Sequence, residues 1–321
     1  MRTATARFQP LLRPLLLLLC AFALAGAQAL CAQPFDSGTK ITTTADGAYS
    51  VYATDLNGDG DTDVLSASAN DNTIAWYEND GSATPSFTER TITTEAFFAL
   101  SVYATDLDGD GDTDVLSTSF WENTIAWYEN DGGATPSFTK RTITASVRGA
   151  SSVYATDLDG DGDTDVLSAS EKDDKIAWYE NDGGVTPSFT SRTITTSADS
   201  PESVYATDLD GDGDTDVLSA SVNDNMIAWY ENDGGADPSF TIWTITTSAD
   251  GAYSVYATDL DGDGDTDVLS ASDRDNTIAW HENDGGATPS FTSRTITTSA
   301  DGAFSVYATD LDGDGDTDVL S

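Results

Sequence analysis

The apolar positions of this chain fall in short runs separated by turn-forming residues. In the first complete stretch the runs are 50–54 (SVYAT), 64–68 (VLSAS), 73–78 (TIAWYE) and 87–94 (FTERTITT). β-Branched and aromatic side chains fill them, which predicts four strands. Gly, Pro, Asn, Asp and Thr interrupt every window in which a helical stripe could form, so no helix is expected. In the third run Ile74 and Trp76 point one way and Ala75 and Tyr77 the other. Both faces are apolar, so this strand should be covered on both sides. The fourth run alternates Thr with Ile and carries Arg90, as an edge strand open to water would. Turn formers (ENDGSATPS, 78–86) join the third run to the fourth.

The pattern then repeats. SVYATDL begins at Ser50, Ser101, Ser152, Ser203, Ser254 and Ser305, always 51 residues apart. A four-stranded unit with two apolar faces, repeated at this period, predicts an all-β fold: a β-propeller in which each small sheet packs between its neighbours. A β-solenoid uses shorter periods, and tandem β-sandwiches need about 100 residues per unit. The first and second strands occur six times, the third only five. Five fourth strands follow those third strands, and a similar segment, KITTTADGAYS (40–50), precedes the first unit. Two closures are open: the 40–50 segment completes a sixth blade with the last two strands, or the six repeats are part of a larger ring. The propeller is assigned to residues 33–321.

Composition narrows the function. With 38% apolar and 10% aromatic residues, the 321-residue chain can build a core despite its charge. A formal charge of −43 with only 13 Lys and Arg argues against nucleic acid and against anionic membranes. It favours cations or basic partners. Residues 1–32 stand apart: Arg2, Arg7 and Arg13, an apolar stretch from Leu15 to Leu24, then the small residues of Ala27-Gln28-Ala29. These are the features of a signal peptide, so a secreted or cell-surface protein is expected, with no membrane insertion after cleavage. Cys20 and Cys31 both lie in this leader, and Leu30 before Cys31 fits a lipoprotein site poorly. The mature chain therefore lacks an internal disulfide, and something else must staple it.

The link between the first and second strands supplies a candidate. Its alternate positions carry oxygen-bearing side chains, and Gly sits at the fourth and sixth. The residues are Asp55, Asn57, Asp59, Asp61 and Asp63; Asp106, Asp108, Asp110, Asp112 and Asp114; Asp157, Asp159, Asp161, Asp163 and Asp165. They continue as Asp208, Asp210, Asp212, Asp214 and Asp216; Asp259, Asp261, Asp263, Asp265 and Asp267; Asp310, Asp312, Asp314, Asp316 and Asp318. Ca²⁺ takes about six to eight hard oxygen ligands, and a loop curling around it offers alternate residues. Positions one, three, five and nine would give side-chain oxygens; position seven would give its carbonyl, leaving its carboxylate outside. An EF-hand needs a bidentate Glu at its twelfth position, where this chain has Ser66. The expected cofactor is therefore Ca²⁺, about one per hairpin loop. Mg²⁺ fits less well, because it keeps its waters in a tight octahedron.

The segments SVYATDLDGDGDTDVLSAS and IAWYENDG together resemble the VCBS/FG-GAP repeat family, in the superfamily of the integrin α-subunit propeller, over residues from about 35 to 321. The resemblance implies Ca²⁺ in each of the six loops. Two departures matter. Ser66-Ala67-Ser68 replaces the family's Gly-Ala-Pro, and the Phe-Gly pair before the first strand is missing. Both favour the VCBS-like branch over integrin-style pairing.

Little else suggests chemistry. The one histidine, His281, stands where the other units have Tyr77, Tyr128, Tyr179 and Tyr230, and reads as a packing position. No nucleophile or phosphate loop is evident, and the carboxylates belong to repeated turns, so no enzyme is expected. Trp76, Trp127, Trp178, Trp229 and Trp280 read as core between blades. The units differ most before the first strand and before the third, where Phe97, Phe98, Phe120 and Trp121 fall in loops. Such aromatics can anchor a partner, or represent unselected variation. The favoured function is a calcium-binding module that holds an extracellular protein or glycan. The alternative is a non-catalytic accessory propeller or a fragment of a larger extracellular enzyme.

Overall fold

Each acidic link folds as a hairpin, and two further antiparallel strands extend every hairpin into a sheet. The computed structural model describes residues 40–321; the leader assigned to 1–32 lies outside the described residues. The first blade comprises β1 (Ala48–Thr54), β2 (Asp63–Ser68), β3 (Thr73–Asn79) and β4 (Phe87–Thr93). The second is β5 (Val102–Thr105), β6 (Asp114–Ser119), β7 (Thr124–Asn130) and β8 (Phe138–Thr144). The third is β9 (Ala150–Thr156), β10 (Asp165–Ser170), β11 (Lys175–Asn181) and β12 (Phe189–Thr195). The fourth is β13 (Pro201–Thr207), β14 (Asp216–Ser221), β15 (Met226–Asn232) and β16 (Phe240–Thr246). The fifth is β17 (Ala252–Thr258), β18 (Asp267–Ser272), β19 (Thr277–Asn283) and β20 (Phe291–Thr297). Only β21 (Tyr307–Thr309) and β22 (Asp318–Leu320) follow, as a two-stranded sheet. Strands pair in chain order within each blade. The predicted all-β propeller is therefore present as five four-stranded blades and a half blade, with no closed sheet among the described residues.

Residues 40–47 form bends and a turn rather than a strand, so the 40–50 segment does not complete the last blade. Its strand character begins only at Ala48, as the start of β1. The segment's Thr-rich composition has β propensity, but propensity without a paired neighbour does not make a strand.

The core lies between blades. Leu56, Leu65, Ile74 and Trp76 of the first blade pack against Val102, Ala104, Val115 and Tyr128 of the second. The same set recurs at the next two junctions, while the fourth has His281 in place of the tyrosine and the fifth, against the half blade, keeps only part of the set. Register explains it: Leu65 lies opposite Trp76 and Val64 opposite Tyr77, so one face of each sheet looks forward and the other back. Trp76, Trp127, Trp178 and Trp229 are buried as expected, whereas Trp280 is only partly covered, because the half blade beyond it has no third strand. Val102 and Val255 are each 4% exposed, but Val51 of the first blade is 70% exposed. The rings of Tyr52, Tyr103, Tyr154, Tyr205, Tyr256 and Tyr307 follow one another along the first strands, neighbouring centroids 4.7–5.0 Å apart and planes tilted by 49–53°. This ladder adds aromatic contacts to every junction.

On the outer edge, Arg90, Arg141, Arg192 and Arg294 pair with Glu78, Glu129, Glu180 and Glu282. Such partly exposed pairs contribute little energy, about 0–1 kcal/mol each. They do keep charge on an unpaired strand edge. The fourth blade places Trp243 there instead, its indole N–H donating to Glu231 at 2.7 Å.

His281 occupies the position of the inward tyrosines and is 2% exposed. Its ring nitrogens lie 3.0 Å from Ser270 Oγ and 2.8 Å from Ser293 Oγ. The shorter side chain adjoins a cavity of about 180 Å³ lined by hydroxyls, including those of Thr246 and Ser272. Burial lowers the imidazole pKa from 6.5 to about 4. The unfolded chain therefore takes up a proton before the folded one does. The stability associated with the neutral ring is intact above pH 6.5 and declines toward pH 4, by about 3 kcal/mol in all. His281→Tyr should abolish this component. Urea unfolding of both proteins from neutral to acid pH tests it, and parallel pH profiles would refute it.

Candidate metal centre

The acidic hairpin loop is built by its own backbone. In the second blade Gly109 and Gly111 have φ of +75° and +94°, which side-chain-bearing residues rarely adopt. This curl points their amides at the first aspartate: Gly109 N donates to Asp106 Oδ1 at 2.8 Å and Gly111 N to Oδ2 at 3.0 Å. Asp108 Oδ1 accepts from Asp110 N at 3.3 Å, and Asp110 Oδ1 from Asp112 N at 2.9 Å. Each of these carboxylates is thus aimed by an amide two to five residues ahead.

The ninth position closes the loop. Asp114 is buried at the start of β6. Its Oδ2 accepts from Leu107 N at 3.1 Å and its Oδ1 from Asn130 N at 2.8 Å. Asp165 and Asp216 repeat the arrangement. Burial is the main force on these three groups and raises their pKa to about 7. Burial, with added repulsion from neighbouring carboxylates, also raises Asp108, Asp159 and Asp210. The loop therefore concentrates negative charge at a place that resists it.

Three positions converge. Asp106, Asp108 and Asp114 bring carboxylate oxygens within 4.8 Å of one another. So do Asp157, Asp159 and Asp165; Asp208, Asp210 and Asp216; and Asp310, Asp312 and Asp318. In the fifth blade the grouped residues are Asp259, Asp261 and Asp263. Position five (Asp110, Asp161, Asp212, Asp314) lies outside the other four groups. In the first blade Asn57 replaces an acid, and its Nδ2 donates to Asp59 Oδ2 at 3.0 Å. The seventh-position carboxylates (Asp61, Asp112, Asp163, Asp214, Asp265) lie instead against Gly81, Gly132, Gly183, Gly234 and Gly285 of the third-to-fourth strand turn. A Cβ on those glycines would collide with the carboxylate, so the turn requires glycine there.

The donor set suits a hard cation. It is all oxygen, and each carboxylate oxygen that accepts an amide keeps a lone pair. Asp106, Asp108 and Asp114, with their equivalents in the third and fourth blades and the half blade, would hold such an ion, as would Asp259, Asp261 and Asp263 in the fifth, and it would offset the local repulsion.

A second element of the site is a side chain that pattern reading treated only as a turn former. Asn130 Nδ2 donates to Thr113 O in its own blade at 2.9 Å and to Leu56 O in the preceding acidic loop at 3.0 Å. Asn181, Asn232 and Asn283 make the same bridge to Leu107, Leu158 and Leu209. Clefts open beside these bridges, with volumes of about 230 Å³ between the first two blades and 310 Å³ between the third and fourth. Identical Asn and Leu in every unit was the available sequence signal.

A family model for the FG-GAP-like repeat matches residues 55–117, 106–168, 157–219, 208–270 and 259–321. The chain belongs to the FG-GAP-like repeat family. No curated protein matches it. Among solved structures, this FG-GAP-like protein is similar to a functionally unknown protein from Desulfotomaculum acetoxidans. The identity is 13%, over 78% of this chain and 70% of that one, with a TM-score of 0.54. A catalytically inactive virginiamycin B lyase from Staphylococcus aureus, solved with quinupristin, shares 15% identity over 83% of this chain and 76% of its own, with a TM-score of 0.55. A protein from Lactobacillus plantarum shares 17% over 84% and 74%, with a TM-score of 0.56. At these identities the likeness is one of fold.

Asp165→Ala should lower stability by about 2–4 kcal/mol even in excess chelator, because two buried amides, Leu158 N and Asn181 N, lose their acceptors. Denaturant unfolding of the variant measures it. A loss below about 0.5 kcal/mol would contradict the clamp.

Proposed function

We propose that this FG-GAP-like chain is a secreted or cell-surface β-propeller, stabilised by Ca²⁺ in its hairpin loops, that serves as a non-catalytic binding module for an extracellular protein or glycan. The observation that carries the reading is the recurrence of one three-carboxylate cluster in successive blades, each oriented by backbone amides. A single acidic turn would be unremarkable; the same turn built in register is a repeated receptor for a hard cation. The net charge of −43 and a leader-like first 32 residues support an extracellular setting, where calcium is abundant. The absence of catalysis is supported by where the chemistry sits. The clustered acids belong to repeated loops, and the one imidazole is buried between two serines in a sheet.

Calcium bound only by folded loops stabilises by mass action, by about 4 kcal/mol per site at a thousandfold excess over Kd. Chelation should therefore lower the melting temperature by more than about 10 °C. Asp159→Ala should shrink the calcium-dependent gain while barely changing the chelated protein, since Asp159 accepts only one loop amide. Calorimetry with and without chelator, together with elemental analysis, tests both. An unchanged melt and calcium-free protein would sink the proposal.

A further inference from the structure

The second blade breaks the repeat with aromatics at one place. Before β5 the chain carries Phe97 and Phe98, and between β6 and β7 it carries Phe120 and Trp121. The structure gathers Phe98, Phe120 and Trp121 into one cluster, with the Phe97 carbonyl accepting from Trp121 N at 3.3 Å. Phe98 lies 5.7 Å from Phe120, 5.5 Å from Trp121 and 6.3 Å from Tyr49 of the first blade, centroid to centroid. Phe120 and Trp121 meet edge to face at 5.2 Å. Much of the cluster remains in water: Trp121 and Tyr49 are each 61% exposed and Phe97 45%.

Backbone strain marks the same spot. Phe98 has φ of +57°, in the left-handed region. Four of the six equivalent positions are glycines, Gly47, Gly149, Gly251 and Gly302, with φ of +67° to +70°. A phenylalanine gains nothing locally from replacing glycine in this conformation, and strain of this kind concentrates at working surfaces.

The cluster already holds a cation. Lys172 of the third blade places Nζ 4.0 Å from the Phe120 ring centroid and 4.3 Å from that of Trp121. Exposed Glu95 and Glu122 adjoin it in sequence, Glu122 facing Lys140 at 4.0 Å, and the whole chain carries a charge of −43. The acidic field of the whole chain repels anionic glycans and membranes and draws in cations, and the exposed part of Trp121 can retain them. Resting on the reading of the propeller as a binding module, we infer that this patch docks a basic, Lys/Arg-rich segment of a partner protein. Trp121 and Phe98 are its anchors.

The test uses a fluorescein-labelled Arg/Gly peptide, its Glu/Gly counterpart and alginate oligosaccharide, measured by anisotropy at physiological salt with and without Ca²⁺. The Arg/Gly peptide should bind saturably, and Trp121→Ala and Phe98→Gly should each weaken it by about tenfold or more. Phe98→Gly should at the same time keep or raise the melting temperature, separating lost binding from lost folding. Trp243→Ala, at the exposed tryptophan on the fourth blade's edge, should leave binding intact. Three results would overturn the inference: peptide binding unchanged in Trp121→Ala, equal loss in Trp243→Ala, or Trp121-dependent binding of the Glu/Gly peptide or alginate instead. Calcium uptake measured on the same samples separates this inference from the calcium reading. Protein that takes up calcium but ignores the peptide defeats only the docking site. Protein that binds through Trp121 yet takes up no calcium defeats only the metal.

Discussion

The ninth-position aspartate is the constraint on which the repeating unit depends. In the five full blades Asp114 and its counterparts carry a carboxylate into the interior, where burial raises its pKa, yet both oxygens are committed to backbone amides. One amide belongs to the hairpin loop and the other to the end of the third strand. The side chain therefore ties the loop to the sheet. It also brings its own charge against the first and third loop acids, which are held by amides further along the curl. Loop closure and charge concentration are consequences of one interaction. Neutralising that charge by proton or by cation is a requirement the fold creates for itself.

The asparagine bridge carries this local arrangement across the junction. The residue whose backbone N–H meets the buried aspartate uses its side chain to hold a carbonyl in the preceding loop. Every junction between full blades thus couples loop geometry to blade packing, beside the Leu–Trp–Val contacts and the tyrosine ladder. Stability in such an array is a sum of similar nearest-neighbour terms. Because all the acidic loops join first strands to second strands, they share one end of the propeller. Screening over about 8 Å at physiological salt does not separate groups packed this closely.

Much of this was legible in sequence because it is local. Strand ends fell within about two residues of the structure, and the two apolar faces of the third strand follow from period-two alternation. The curl of the acidic loop was readable from its glycines. What escaped was contact between residues more than fifty positions apart. Asn130 looked like one turn former among several, because its partner is a backbone carbonyl, which has no signature in sequence. The tyrosine ladder escaped because an alternating strand shows which face a ring takes, not which ring it meets. The convergence of positions one, three and nine, with position five mostly apart, depends on where β6 starts relative to the curl. The segment 40–50 offered one of two closures for the opposite reason: its residues suit a strand, but 40–47 form bends and a turn with no edge to receive them.

Near-identity among the units also gives their differences meaning. A shared scaffold fixes what each position must satisfy, so each departure can be judged against the other units: four at His281, five at Phe98. At His281 the departure leaves hydroxyl-lined space where other blades place a phenol, and the ring is absorbed by two serines. That is a packing position losing bulk. At Phe98 the departure adds bulk at a left-handed backbone position, and the ring meets Tyr49, Phe120 and Trp121, the last two lying under Lys172. Drift that is merely tolerated tends to remove contacts; here a strained residue has acquired them. The acidic loops, nearly the same in every unit, tie each hairpin to its own sheet. Specificity for a partner has to come from residues that the other blades do not repeat.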